Sequence, residues 1–156
     1  MTTSTYSHDD AGLINQPIGY WSSATGTAVV HYIRTTLAEF GVTQPQWWIL
    51  NQAAVGTDDG KDRSEVVATL RGYLDVGDRA LEHDIDALLG RELLSEDGSG
   101  RLRPTDAGRE LHARIAVQQK ANRDRIHAGI TDGEYVAALK VLQRMIHNVG
   151  GDAWHH

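Results

Sequence analysis

Apolar residues recur at three- and four-residue steps along most of the chain. Ile18, Trp21, Thr25, Ala28, Val29, Tyr32, Ile33, Thr36, Leu37 and Phe40 trace one helix face and predict a long helix stopping at Gly41. A new start is written into Thr43-Gln44-Pro45-Gln46. Thr caps the first amides, Pro suits the first turn, and Gln three residues on completes a capping box. Trp47, Leu50 and Ala54 share the face that follows. The run 56–61 is polar and aperiodic, an exposed loop. Asp62 with Glu65 marks the next helix start, and Val66, Val67, Leu70, Tyr73 and Leu74 give that helix its apolar face.

Asp75-Val76-Gly77-Asp78 interrupts the pattern before Leu81, Ile85, Leu88 and Leu89 resume it. Two short helices across a tight Gly-containing turn predict a helix-turn-helix. Leu93 to Glu96 and Arg101 to Arg103, separated by Asp97-Gly98-Ser99-Gly100, read as a small hairpin. Helical spacing returns from Thr105, with Leu111, Ile115, Gln118 and Asn122, and runs to about His127. Thr131 to Glu134 is a further capping box, and Val136, Leu139, Leu142, Met145, Ile146 and Val149 follow before Gly150-Gly151. The predicted fold is mainly α with a small β-hairpin wing, a winged helix-turn-helix.

The chain's 156 residues fit one domain. It has no cysteine, which excludes disulfides, thiolate metal sites and thiol nucleophiles and agrees with a reducing cytoplasm. No apolar run reaches membrane-spanning length, and the polar start Met1 to Asp10 does not read as a signal peptide. Its histidines lack metal-ligand spacing, and the adjacent His155-His156 pair is set aside as a tail. No nucleophile elbow or enforced carboxylate pair points to an enzyme, and no cofactor is implied. The formal charge of -6 means that any contact with nucleic acid must come from a local patch.

Two stretches carry a resemblance. Leu102-Arg103-Pro104-Thr105-Asp106-Ala107-Gly108-Arg109-Glu110-Leu111 is similar to the MarR family's junction between wing and following helix, where Thr caps and an Ala-Gly pair permits close packing. Ile85 to Leu94 resembles the end of that family's recognition helix as it enters the wing. The order of segments resembles the same family over nearly the whole chain. There are departures: Glu92 stands where the family has glycine, and the wing is shorter and lacks the usual Asp-x-Arg element.

The resemblance implies a single unit over 1–156, with dimerisation helices at about 14–40 and 109–149 flanking a DNA-binding lobe at about 43–105. It further implies a homodimer on a pseudo-palindromic double-stranded operator, a repressor, and a small aromatic effector near Trp48, His31 and Arg34. In a helix-turn-helix the start of the second helix meets base edges, which selects Arg79, Glu82 and His83. Arg suits guanine, and a carboxylate accepts from cytosine. Arg101 and Arg103, two apart on one strand, share a face and are candidates for minor-groove phosphates. Arg63, with Lys61 and Arg71, is placed to meet phosphates from the preceding helix. The plain alternative for each charge is a solvated surface, and for Trp48 it is packing. The recognition helix also carries Asp78, Glu82, Asp84 and Asp86. That acidity supports a competing expectation, a winged-helix protein-interaction module with little DNA affinity.

Overall fold

Residues 5–56, 58–74 and 76–153 are described by the structure, a computed structural model. The His155-His156 pair lies outside the described residues. The elements run α1 (Asp10–Leu13), α2 (Ile18–Ala38), α3 (Gln44–Ala54), β1 (Lys61–Asp62), α4 (Arg63–Tyr73), α5 (Asp78–Gly90), β2 (Leu94–Glu96), β3 (Arg101–Pro104), α6 (Asp106–Ile126) and α7 (Asp132–Asn148). The chain divides into two compact units, Met1–Tyr32 and Ile33–His156, with α2 beginning in the first and ending in the second.

In the first unit, Asp9 caps the short α1, its carboxylate accepting from the Gly12 amide at 2.9 Å. Four residues are too few for an apolar stripe, so α1 left no periodic signal. Tyr20 meets Trp21 edge-on at 5.3 Å, and Ile14, Ile18 and Tyr20 remain exposed.

The second unit holds the core. Leu37, Ile49, Leu50, Leu70, Leu81, Ile85, Leu88, Leu102 and Ile115 are fully buried, each contributing about 1.5–3 kcal/mol through lost apolar exposure. α3 lies at the centre, touching α4, α5, α6 and β3. Because it is covered on several sides, Ile49 and Ala53 are buried along with Trp47 and Leu50, whereas Ala54 is only half-buried. Both capping boxes form: Thr43 accepts from the Gln46 amide and Thr131 from the Glu134 amide, and each partner side chain returns the bond. The Thr131 amide and hydroxyl hold the Glu134 carboxyl below its ordinary pKa.

The hairpin belongs to a three-stranded antiparallel sheet in the order β1-β3-β2, with Lys61 opposite Leu102 and Ser95 opposite Arg103. β1 falls where the sequence predicts a loop and a helix start. Two residues show no alternation, and Asp62 is extended against Arg101 rather than using its side chain as a cap.

Two backbone features join α5, wing and α6. α5 ends in a Schellman motif, with the Leu93 amide bonding Leu88 O and the Glu92 amide bonding Leu89 O. Glu92 takes the left-handed position, with φ 57°, that glycine adopts without strain. Gly108, in the first turn of α6, sits against the Leu93 backbone so closely that a Cβ there would collide with the Leu93 carbonyl.

A buried polar pin ties the end of α2 to α6. Asn122 Nδ2 donates to Thr36 Oγ1 at 2.7 Å, Thr36 donates to Ile33 O, and Gln118 donates to Asn122 Oδ1 at 2.9 Å. α7 is different: none of its residues is buried, and Val136, Leu139 and Met145 are exposed, as is Val149 just past its end.

Candidate nucleic-acid interface

Leu81, Ile85 and Leu88 turn one face of α5 into the core. The same spacing sends Arg79, His83 and Asp86 outward, all three exposed. Arg79 and His83 are therefore presented together at the start of the helix, as the sequence predicts, and neither makes a side-chain hydrogen bond with the described residues. Glu82, also predicted there, is half-buried at the edge of this face and is engaged by Arg63.

Arg63 opens α4, and its guanidinium reaches three carboxylates. Nε donates to Glu82 at 2.5 Å, Nη2 to Asp86 at 2.7 Å and Nη1 to Glu96 at 3.1 Å. Nη2 also approaches the Glu82 carbonyl at 3.4 Å. Partial burial opposes the charge, but the bonds to Asp86 and Glu82 outweigh it and raise the guanidinium above its ordinary pKa. Helix-turn-helix and wing are thus tied through one cation. Charge counting treats Arg63 as a free phosphate contact, and only the fold shows its neighbours. Arg71, also considered for phosphates, pairs with Asp78 at 3.2 Å. Lys61 donates to Gln52.

On the wing, Arg101 and Arg103 do share a side of β3. Arg101 Nε donates to Asp59 O at 3.0 Å and Arg103 Nε to Asp58 O at 3.2 Å. Arg103 Nη1 also pairs with Asp97 at 2.8 Å, whereas the terminal nitrogens of Arg101 make no hydrogen bond with the described residues. Asp97 organises the turn. Its Oδ1 accepts from the Ser99 hydroxyl, the Ser99 amide and the Arg101 amide. Those bonds, the Ser99 hydroxyl first, then the Arg101 amide and Arg103, hold its carboxyl well below the usual range. Sequence reading passed over Asp97, although an Asp opening Asp-Gly-Ser-Gly is a signal for a side chain that caps its own turn.

Trp47 and Trp48 part company, as neighbours on a helix must. Trp47 is buried and stacks on His112 at 5.0 Å, and His112 Nε2 lies 2.9 Å from Asn51 Oδ1. Burial lowers the His112 pKa. Trp48 stands edge-on to Tyr73 at 4.9 Å and lines a cleft of about 340 Å³ with Asn51, Gln52, Lys61, Thr69 and Tyr73. Arg34 is not in that lining; it donates to Gln44 at 3.3 Å. His31 is exposed and belongs to the first unit. Among the described residues, no cluster of three or more potential ligands is arranged to hold a metal ion, and no helix is long and apolar enough to cross a membrane.

No protein-family profile and no curated protein matches the sequence. Solved structures do. A MarR-family protein of Mycobacterium tuberculosis, solved in complex with DNA, superposes with a TM-score of 0.65 at 18% identity over 84% of this chain and 98% of its own. CouR from Rhodococcus jostii, bound to p-coumaroyl-CoA, gives 0.68 at 21% identity, covering 83% and 91%. A MarR-family transcriptional regulator from a Rhodococcus species gives 0.67 at 22% identity, covering 91% and 97%. The chain therefore has the winged-helix fold of the MarR-family regulators, mainly helical with a small antiparallel sheet.

Proposed function

We propose that this protein is a DNA-binding transcriptional regulator that works as a homodimer in the cytoplasm and represses by occupying an operator. The observation that carries this reading is the outward face of α5, where Arg79 and His83 project from the first turns of the second helix of a helix-turn-helix. That is where such proteins read base edges. Arg79 reads guanine, Glu82 accepts from a base amino group, and Arg101 and Arg103 engage the backbone from the wing. The DNA complex of the similar mycobacterial protein supports the mode.

Dimerisation is inferred from apolar surface. The faces carrying Ile18 and Trp21 on α2, and Val136, Leu139 and Met145 on α7, remain open to water in the single chain, and a two-fold partner covers such stripes. Two recognition helices then enter successive major grooves roughly 34 Å apart on a pseudo-palindrome. The Trp48–Tyr73 cleft is our candidate for a small aromatic effector. Similar proteins were solved with p-coumaroyl-CoA and with p-aminosalicylic acid. Such a ligand acts by favouring a form that does not fit the operator.

The test is a pair of variants against selected and unrelated duplexes. Arg79→Ala is expected to change sequence preference, while Arg101→Ala weakens all duplexes and lowers the salt slope by about one. Unchanged binding in both removes the proposed footprint. A second reading, a protein-interaction module, is favoured by Glu65, Asp78 and Glu82, which line the groove between α4 and α5. Binding to a basic protein partner, with no salt-sensitive affinity for any duplex, decides for it.

A further inference from the structure

Arg63 has five N–H donors in a rigid fork, and the structure directs that fork at Glu82, Asp86 and Glu96, with 21% of the side chain left exposed. Swinging it out to a phosphate would leave three carboxylates unneutralised beside a polyanion. Resting on the DNA-binding reading above, we infer that Arg63 is a positioning residue: it fixes the Glu82 carboxylate at the edge of the α5 reading face and contacts no phosphate itself.

Three features support this role. The bonds run from α4 to Glu82 and Asp86 on α5 and to Glu96 on β2, so a single side chain ties the three elements together. Nη2 bonds the Asp86 carboxylate and also approaches the Glu82 backbone carbonyl, anchoring the fork to the helix as well as to its side chains. Glu82 keeps 42% of its side chain accessible while one oxygen is engaged by Nε, leaving acceptor capacity for an outside donor.

An ordered carboxylate has a narrow chemistry in the major groove. It needs a donor, and the bases offer only the cytosine 4-amino and adenine 6-amino groups there. The adenine amino group adjoins the N7 acceptor, which repels a carboxylate, so a fixed Glu82 favours cytosine. One guanidinium against three carboxylates also leaves the cluster net negative, which penalises registers that bring a phosphate onto it. Arg63 thereby supports selectivity more than affinity.

The experiment selects binding sites from a random duplex library with wild-type protein, Arg63→Met, Arg63→Lys and Glu82→Gln, and measures salt slopes on the winning duplex. Circular dichroism confirms that each variant is folded. Wild type is expected to prefer cytosine roughly tenfold at one half-site position. Arg63→Met and Glu82→Gln should both lose preference at that same position. Arg63→Lys, which keeps the charge without the fork, should lose the same preference while keeping the wild-type salt slope, and it serves as the positioning test if the Met variant does not fold. The salt slope should stay within about half a unit of wild type in Arg63→Met. A uniform loss across all duplexes, with preference intact and the slope lower by about one, makes Arg63 a phosphate contact and overturns the inference. Failure of wild type to enrich any duplex overturns the DNA-binding reading itself and this inference with it.

Discussion

Replacing Gly108 by alanine tests the close approach of α6 to the segment that follows α5. The residue is helical and its amide is bonded to Thr105 Oγ1 at 3.1 Å, so helix propensity alone favours alanine by about 0.8–1 kcal/mol. The structure reverses the sign. A Cβ at 108 would fall on the Leu93 carbonyl oxygen and 3.0 Å from its carbon. That oxygen also accepts from the Thr105 amide at 3.2 Å, so it cannot move away without loosening the bond that starts α6. Overpacking of this kind costs typically 1–3 kcal/mol; with the Cβ overlapping the oxygen itself the upper end of that range applies, and against the propensity gain a net loss of about 2 kcal/mol is expected. Urea unfolding at fixed protein concentration is the assay. With a slope of about 1–3 kcal/mol/M, the midpoint should fall by roughly half a molar or more. Gly133→Ala is the matched control: it lies in the first turn of α7, where a Cβ would meet only Thr131 Oγ1 at 3.9 Å, and it should be neutral or stabilising. A Gly108→Ala protein as stable as wild type would show that the Leu93 carbonyl yields to a methyl group without cost.

Three further outcomes are expected. Glu92→Gly should raise stability by about 1 kcal/mol by relieving a left-handed residue, seen as a higher melting temperature, while Glu92→Ala should leave it nearly unchanged. Asn122→Ala should cost about 1–3 kcal/mol, because Thr36 and Gln118 lose their buried partner; an unchanged urea midpoint would show that the pin is not needed. His112 has a lowered pKa in the folded chain, so its contribution is fully present above the unfolded value near 6.5. It is lost as pH falls through that value toward the depressed one. Stability profiles of wild type and His112→Phe should therefore diverge on acidification, and parallel profiles would contradict the assignment.

The fold was legible where periodicity and caps are strong. The stripes of α2, α4, α5 and α7, and the Thr43 and Thr131 capping boxes, are local signals, and the structure reproduces them. The expected glycine position at Glu92 is the one non-glycine residue with positive φ among the described residues. β1 and α1 were not legible, since two- and four-residue elements carry no period. Side-chain partnerships were the least legible. Arg63 is separated from Glu82 by 19 residues and from Glu96 by 33, so nothing local announces that its charge is already engaged. The same holds for His112 and Asn51, 61 residues apart. The outward placement of Arg79 and His83 followed directly from helical spacing.

Whether the Arg79–His83 face of α5 reads duplex DNA is open to direct measurement. The most direct measurement is titration of the purified protein against fragments of its own upstream genomic region at two salt concentrations, with unrelated duplex as competitor. One fragment is expected to win selectively, with an affinity that falls steeply with salt. Absence of binding to any duplex at low salt would contradict it.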